Sequence, residues 1–159
     1  MKLLGIDPGF DRIGWAVANY STSTDFELVA AGCIQTKQTT QLFERYLQLT
    51  KQLQQILAIH QPAQAVLESV FFSINKKTAM KVSEARGVII ATLLTQNVPI
   101  FEYTPNQIKL AVTGDGNADK KAVEKMIGLQ LKLTTDALID DTIDAIAIAF
   151  THSLMKYKL

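Results

Sequence analysis

Cysteine is almost missing from this chain of 159 residues: Cys33 stands alone, which excludes an internal disulfide and any zinc site built from several thiolates. A metal held here must be held by oxygen or imidazole. No apolar run approaches the length that crosses a bilayer, and the opening "MKLLGIDPG" is broken by Gly5 and Asp7 before it could serve as a signal-peptide core. The expectation is a cytoplasmic protein with no membrane partner. An excess of either charge is also lacking: 16 basic against 15 acidic residues leave a net charge of +1, so bulk charge does not announce a nucleic-acid partner. Internal repeats, low-complexity stretches and linkers are absent, and residues 1–159 read as one domain, long enough to bury a sizeable core.

What is present is an alternation of strand and helix patterns. "KLLGI" is a nearly continuous apolar run, as in a strand covered on both faces. "PGFD" supplies turn residues, "RIGWAVANY" resumes a β-rich segment, and "FELVAAGCIQT" reads as a third strand, which together predict an antiparallel meander. From Gln41 to His60 the residues Leu42, Tyr46, Leu49, Leu53, Ile56 and Leu57 recur at helical steps until Pro62. "QAVLES" and "VPIFEYTP" read as strands flanking a helix in "KTAMKVSEARGVIIATLLTQ"; further helices follow Pro105, span about Asn117 to Leu131, and cross "ALIDDTIDAIAIAF". The predicted fold class is α/β, a mixed five-stranded sheet with three antiparallel strands, then parallel ones, and helices on both faces.

Several acids stand where bland explanations cover only some of them. Asp7 closes the first apolar strand, where Asp-Pro-Gly is also ordinary turn chemistry. Glu68 closes "QAVLES", although glutamate favours neither strands nor turns, and its bland reading is a solvated strand end. Asp140, Asp141 and Asp144 lie near one helix face, and a helix N-terminus accounts for one or two of them. Asp144, a turn further in, meets like charges, so a positive partner is called for. Brought together, Asp7, Glu68, Asp141 and Asp144 would offer clustered hard oxygen ligands, which favour Mg²⁺ or Mn²⁺ over zinc. Two such ions about 3.5 to 4 Å apart suit phosphodiester cleavage.

In order and spacing, "GIDPG", "VLESVFF", "ARGV", "FEYTP", "IK", "GNADK" and "DTIDAIAIAFTH" resemble the RuvC-type Holliday junction resolvases over nearly the whole chain. The resemblance implies a ribonuclease H-like fold and a homodimer that nicks two opposed strands of four-way junction DNA, leaving 5′-phosphate and 3′-hydroxyl ends. It implies two Mg²⁺ per active site, with Mn²⁺ as a substitute, and a branch-migration complex as a further partner. Its catalytic and metal-binding tetrad falls on Asp7, Glu68, Asp141 and Asp144, with Asp7 central. Asp140 is left over, as a cap or a support for the helix start.

For DNA, "SVFFSINKKTAMK" joins aromatics to Lys76, Lys77 and Lys81, a mixture suited to stacking on bases and meeting phosphates, although core phenylalanines beside a solvated helix start would look the same. The resemblance implies that Phe71 inserts near the junction centre and that Phe72 packs. It also implies that Lys109 and Lys120 approach phosphates, where each alone would pass for a solvated lysine. "DGNADKK" fails as a calcium loop, because Lys120 and Met126 occupy the positions that need Gly and Glu, and Asn117 is expected to cap a helix. His152, about 12 Å along the helix from Asp144, is too far to share its metal. His60, Cys33 and Trp15 read as structural. The face of "MKVSEARGVIIATLL" is a candidate dimer interface.

Two other readings stay open. "GIDPG" also suits the phosphate turn of actin-like ATPases, although those need two such domains and make no use of Glu68 with Asp141 and Asp144. "DRIGWAV" departs from the threonine and small residues usual after "GIDPG", which leaves room for a related ribonuclease H-like nuclease acting on RNA or other branched DNA.

Overall fold

In a computed structural model, which describes residues 1–21, 25–69, 76–135 and 137–155, with the side chains of 76–78 left aside, five strands form one sheet in the order β3-β2-β1-β4-β5. β1 (Lys2–Asp7), β2 (Arg12–Tyr20) and β3 (Phe26–Gln35) make the predicted antiparallel meander. β4 (Gln64–Glu68) and β5 (Ile100–Tyr103) run parallel to β1, reached through α1 (Leu42–His60) and α2 (Lys76–Thr95). The remaining helices are α3 (Pro105–Thr113), α4 (Lys120–Leu131) and α5 (Asp140–Met155).

The central strands are apolar throughout because both faces are covered, and their alternation sorts side chains into two cores. Leu4, Ile6, Val17, Ala65 and Leu67 pack with α1 and α2 residues such as Leu49, Leu53, Ile89 and Leu93. Leu3, Ala16 and Val66 pack on the opposite face with Ile108, Val123, Ile127 and the apolar residues of α5. α1 also buries Arg45, which the apolar periodicity does not reveal. Its guanidinium donates to Thr36 Oγ1 at 2.9 Å, to the Phe10 carbonyl at 3.2 Å and to Asp11, and lies 3.8 Å from the Phe10 ring centroid. A buried charge is tolerable only with such partners, and here they are the turn between β1 and β2 together with Thr36 just after β3.

α3 begins as its sequence suggests, with Pro105 in the first turn and a capping box between Thr104 and Gln107. α4 corrects one expectation. Its cap is Asp119, whose carboxylate accepts from the Ala122 N–H at 2.8 Å, and not Asn117. Asn117 instead donates its backbone N–H to Asp115 Oδ1 at 2.9 Å, so the loop is closed by an Asx turn and the helix starts three residues later.

α5 lies close against β1 and β2, and glycines make that approach possible. A Cβ built on Gly14 would stand 1.7 Å from the Asp141 carbonyl oxygen, and one on Gly5 would stand 2.4 Å from that of Ala145 and 2.8 Å from the Ala149 Cβ. Those obstacles are backbone and a methyl group, which cannot swing aside. Gly87, exposed in α2, meets nothing within 4 Å. In urea unfolding, Gly14→Ala is therefore expected to lose about 2 kcal/mol or more from overpacking. Gly87→Ala is expected to gain about 0.5–1 kcal/mol from better helix propensity; equal effects at the two positions would contradict the close approach.

Candidate active site

Strand parity and register place the first two acids. Because Leu3 and Gly5 face α5 while Leu4 and Ile6 face α1 and α2, Asp7 falls on the α5 side at the end of β1. β4 runs parallel to β1 with Leu67 opposite Ile6, and its Val66 also faces α5, so Glu68 ends the neighbouring strand on the same face and at the same edge. On the other side of β1, Asp7 pairs with Gly14, and the Asp141 backbone lies directly over Gly14. α5 thus delivers Asp141, and Asp144 one turn later, to the strand ends that carry Asp7 and Glu68.

Burial and mutual repulsion govern this cluster. The Asp7 carboxyl is pushed up to about 7, first by burial, then by the charges of Asp144, Glu68 and Asp141, with Lys120 pulling the other way. Glu68 is also raised, by burial and then Asp144, against the opposing pull of Lys109 and Lys120. Asp144 is raised by burial even though Lys120 Nζ donates to its Oδ2 at 2.8 Å: one ammonium does not outweigh desolvation together with the neighbouring acids. Burial works against the Lys120 charge, but its hydrogen bond to Asp144 and the charges of Asp144, Asp140 and Asp141 hold it above the ordinary lysine value. Arg12, Lys109 and Lys120 are the cations set against these carboxylates, and burial together with the negative charge they leave unbalanced holds the Asp7 carboxyl up.

Asp141 is held differently. Its Oδ2 lies 3.1 Å from Arg12 Nε, near enough for an ion pair, yet it is buried and without an aligned hydrogen bond. A buried carboxylate oxygen short of a directed partner is what a bound cation would satisfy. With hard oxygens on four side chains and thiolates absent, the donor set fits Mg²⁺ or Mn²⁺. Among the described residues no three acids or histidines already close around one point, consistent with Asp141 and Asp144 each being turned to a cation of the chain.

The other expected site residues divide. Lys109 and Lys120 line a cavity of about 200 Å³ beside Glu68 and Asp144, floored by Ile108 and Val123. Lys81 stands apart from the acids, its Nζ 5.2 Å from the Phe10 ring centroid above the β1–β2 turn. Phe71, Phe72 and the side chains of Lys76 and Lys77 lie outside the described residues. Asp140 is exposed in the first turn of α5, 3.6 Å from Lys120 Nζ, in keeping with a supporting role. His152 is buried far from the carboxylates, its ring nitrogens 3.0 Å from Gln64 Nε2 and from the Tyr103 hydroxyl. The Cys33 thiol is half-buried and pushed up by burial and by Asp141, so it makes a poor nucleophile. Arg12 is the residue that sequence reasoning missed. The signal was a cation immediately after the turn that follows Asp7.

The chain is similar to proteins of one kind throughout. The family model described as crossover junction endodeoxyribonuclease RuvC matches residues 3–152. The crossover junction endodeoxyribonuclease RuvC of Petrotoga mobilis is 42% identical, covering 96% of this chain and 93% of its own length. That of Brachyspira hyodysenteriae is 43% identical over 96% and 94%. Among solved structures, Thermus thermophilus RuvC in complex with a Holliday junction substrate superposes with a TM-score of 0.92 at 28% identity, covering 99% of this chain and 96% of that one. A match along almost the full length, by sequence and by fold, makes this chain a member of the RuvC family of crossover junction endodeoxyribonucleases.

Proposed function

We propose that this chain is a Holliday junction resolvase that nicks two opposed strands of four-way DNA by metal-dependent hydrolysis, with Asp7, Glu68, Asp141 and Asp144 as its catalytic, metal-holding residues. The observation that carries this reading is the approach of the four carboxylates at the C-terminal ends of β1 and β4, with Asp7 pushed up to about 7 among them. Two Mg²⁺ ions, for which Mn²⁺ substitutes, would be held by these side chains. Such ions supply activation of water and stabilisation of the leaving oxygen.

The chain's own groups do the rest. Asp7, central to the cluster, would be the central metal ligand, and Glu68 with the Asp141/Asp144 pair would complete the two sites. Lys109 and Lys120, at the rim of the cavity beside Glu68 and Asp144, neutralise the phosphate on entry and hold it against the acids. Lys81 would meet the phosphates of a junction arm approaching the turn after Asp7, Lys76 and Lys77 would add phosphate contacts, and Phe71 would insert near the junction centre. Each chain carries one such cluster, so paired nicks require a homodimer with twofold symmetry. A branch-migration complex as partner and a cytoplasmic location complete the reading; no helix among the described residues is long and apolar enough to cross a membrane.

The direct test is cleavage of a four-way junction with and without Mg²⁺, with flap, duplex and RNA substrates beside it to separate a resolvase from a related nuclease. Nucleotide-dependent stabilisation on heating would instead support the ATPase reading. Asp7→Asn should keep junction affinity yet lose more activity than the ~10–100-fold that removing a mere support of a metal ligand costs. Normal cleavage by that variant would refute the assignment.

A pH prediction follows from Asp7, a carboxyl whose folded pKa of about 7 lies above its unfolded value of 3.8. Below about pH 4 it is protonated in both states and contributes nothing; between about 4 and 7 the unfolded chain ionises first, and above about 7 the full cost of an ionised Asp7 weighs on the fold. Metal-free protein should lose stability as pH rises through that window, and Mg²⁺ should restore it. The rise in melting temperature on adding Mg²⁺ is thus expected to be larger at about pH 8 than at about pH 5.5. An equal rise at both would contradict the charge state assigned to Asp7.

A further inference from the structure

Arg12 holds a position that neither the proposed metal ligands nor the lysines account for. Its Nε lies 3.1 Å from Asp141 Oδ2, the buried oxygen without an aligned hydrogen bond, while its own side chain is 55% exposed. Among the described residues nothing else engages the guanidinium, so its terminal amino groups are free for a further partner. The backbone beneath is fixed. A Cβ on Gly9 would stand 1.9 Å from the Arg12 carbonyl oxygen, the Thr36 N–H donates to the Asp11 carbonyl at 3.0 Å, and buried Arg45 ties down Phe10 and Asp11. A rigid turn thus carries a long, mobile cation to the rim of the carboxylate cluster, on the Asp141 side. Lys120 stands with Asp144 and Asp140, so the two cations serve different acids.

An arginine and a divalent cation cannot both claim the same buried oxygen at full strength. The cation carries twice the charge and binds hard oxygen directly, whereas the guanidinium here is close but poorly aligned. Once displaced, the guanidinium retains a planar fork of donors matched to a phosphate.

We propose that Arg12 is a phosphate-binding residue released by the metal. Without a divalent cation it is the counter-ion of Asp141; with one, it turns to a DNA backbone phosphate at the rim. Metal binding and junction binding are thereby coupled through one side chain. This rests on the reading of Asp141 as a metal ligand.

The test uses wild-type protein, Arg12→Gln and Arg12→Lys, with Ca²⁺ as a divalent cation and a four-way junction as ligand. Calorimetry without DNA should show Arg12→Gln binding Ca²⁺ several-fold more tightly than wild type, because the competing charge is gone. In junction titrations against salt, the slope of log affinity on log salt should be shallower for Arg12→Gln by about 0.9, one phosphate contact, in Ca²⁺ but not in EDTA. Arg12→Lys should keep most of the slope. Unchanged or weaker Ca²⁺ binding by Arg12→Gln, or the same slope deficit with and without Ca²⁺, would overturn the role of Arg12 alone. A wild-type protein with no affinity for the cation would overturn the reading of Asp141, and the role of Arg12 with it.

Discussion

The contact of the α5 backbone with the sheet at Gly14 and Gly5 is the constraint on which the rest of this molecule depends. The Asp141 and Ala145 carbonyls rest where any side chain on those glycines would stand, and Ala145 and Ala149 are the small residues that complete the approach. Because Gly14 pairs with Asp7, the helix start cannot sit on the sheet without bringing Asp141 beside Asp7. Packing therefore sets the electrostatics. The apolar residues of α5 supply the free energy that presses acids together which would otherwise repel.

That compression leaves a cluster balanced by several weak compensations and no strong one. The Asp7 carboxyl is pushed up and so takes a proton more readily than a free one, an ammonium sits on Asp144, and a guanidinium stands near Asp141 without a good hydrogen bond. Each is displaceable by a cation of higher charge. Beneath them the scaffold is rigid: Arg45, buried in α1, holds the β1–β2 turn by three contacts and Thr36 by a fourth, and so fixes where Asp7 ends and Arg12 begins. The arrangement combines a firm frame with movable counter-charges, which suits a centre that must accept a metal and a phosphate together.

Much of this was legible residue by residue. Short apolar runs bounded by turn residues identified the strands and period 3.6 identified α1, because burial on both faces of a strand or one face of a helix imposes those patterns. Glu68 and Asp144 stood out because local roles could not explain them. Asn117 misled, since Asn and Asp are both good caps and only the course of the loop chose between Asn117 and Asp119. Arg45 was invisible and Arg12 was marked only by its place after the Asp7 turn, because one cation among many carries no periodic signal and its partner lies in another element.

By itself, then, the sequence determined the element types, their order, the two faces of the sheet and the acids that had no local use, since these follow from patterns along the chain. Only the tertiary structure decided which cation meets which carboxylate, that the Asp7 carboxyl is pushed up to about 7, and that Asp141 keeps a buried oxygen poorly satisfied. Those are properties of distances and burial between residues far apart in the chain. Local patterns carry no record of them.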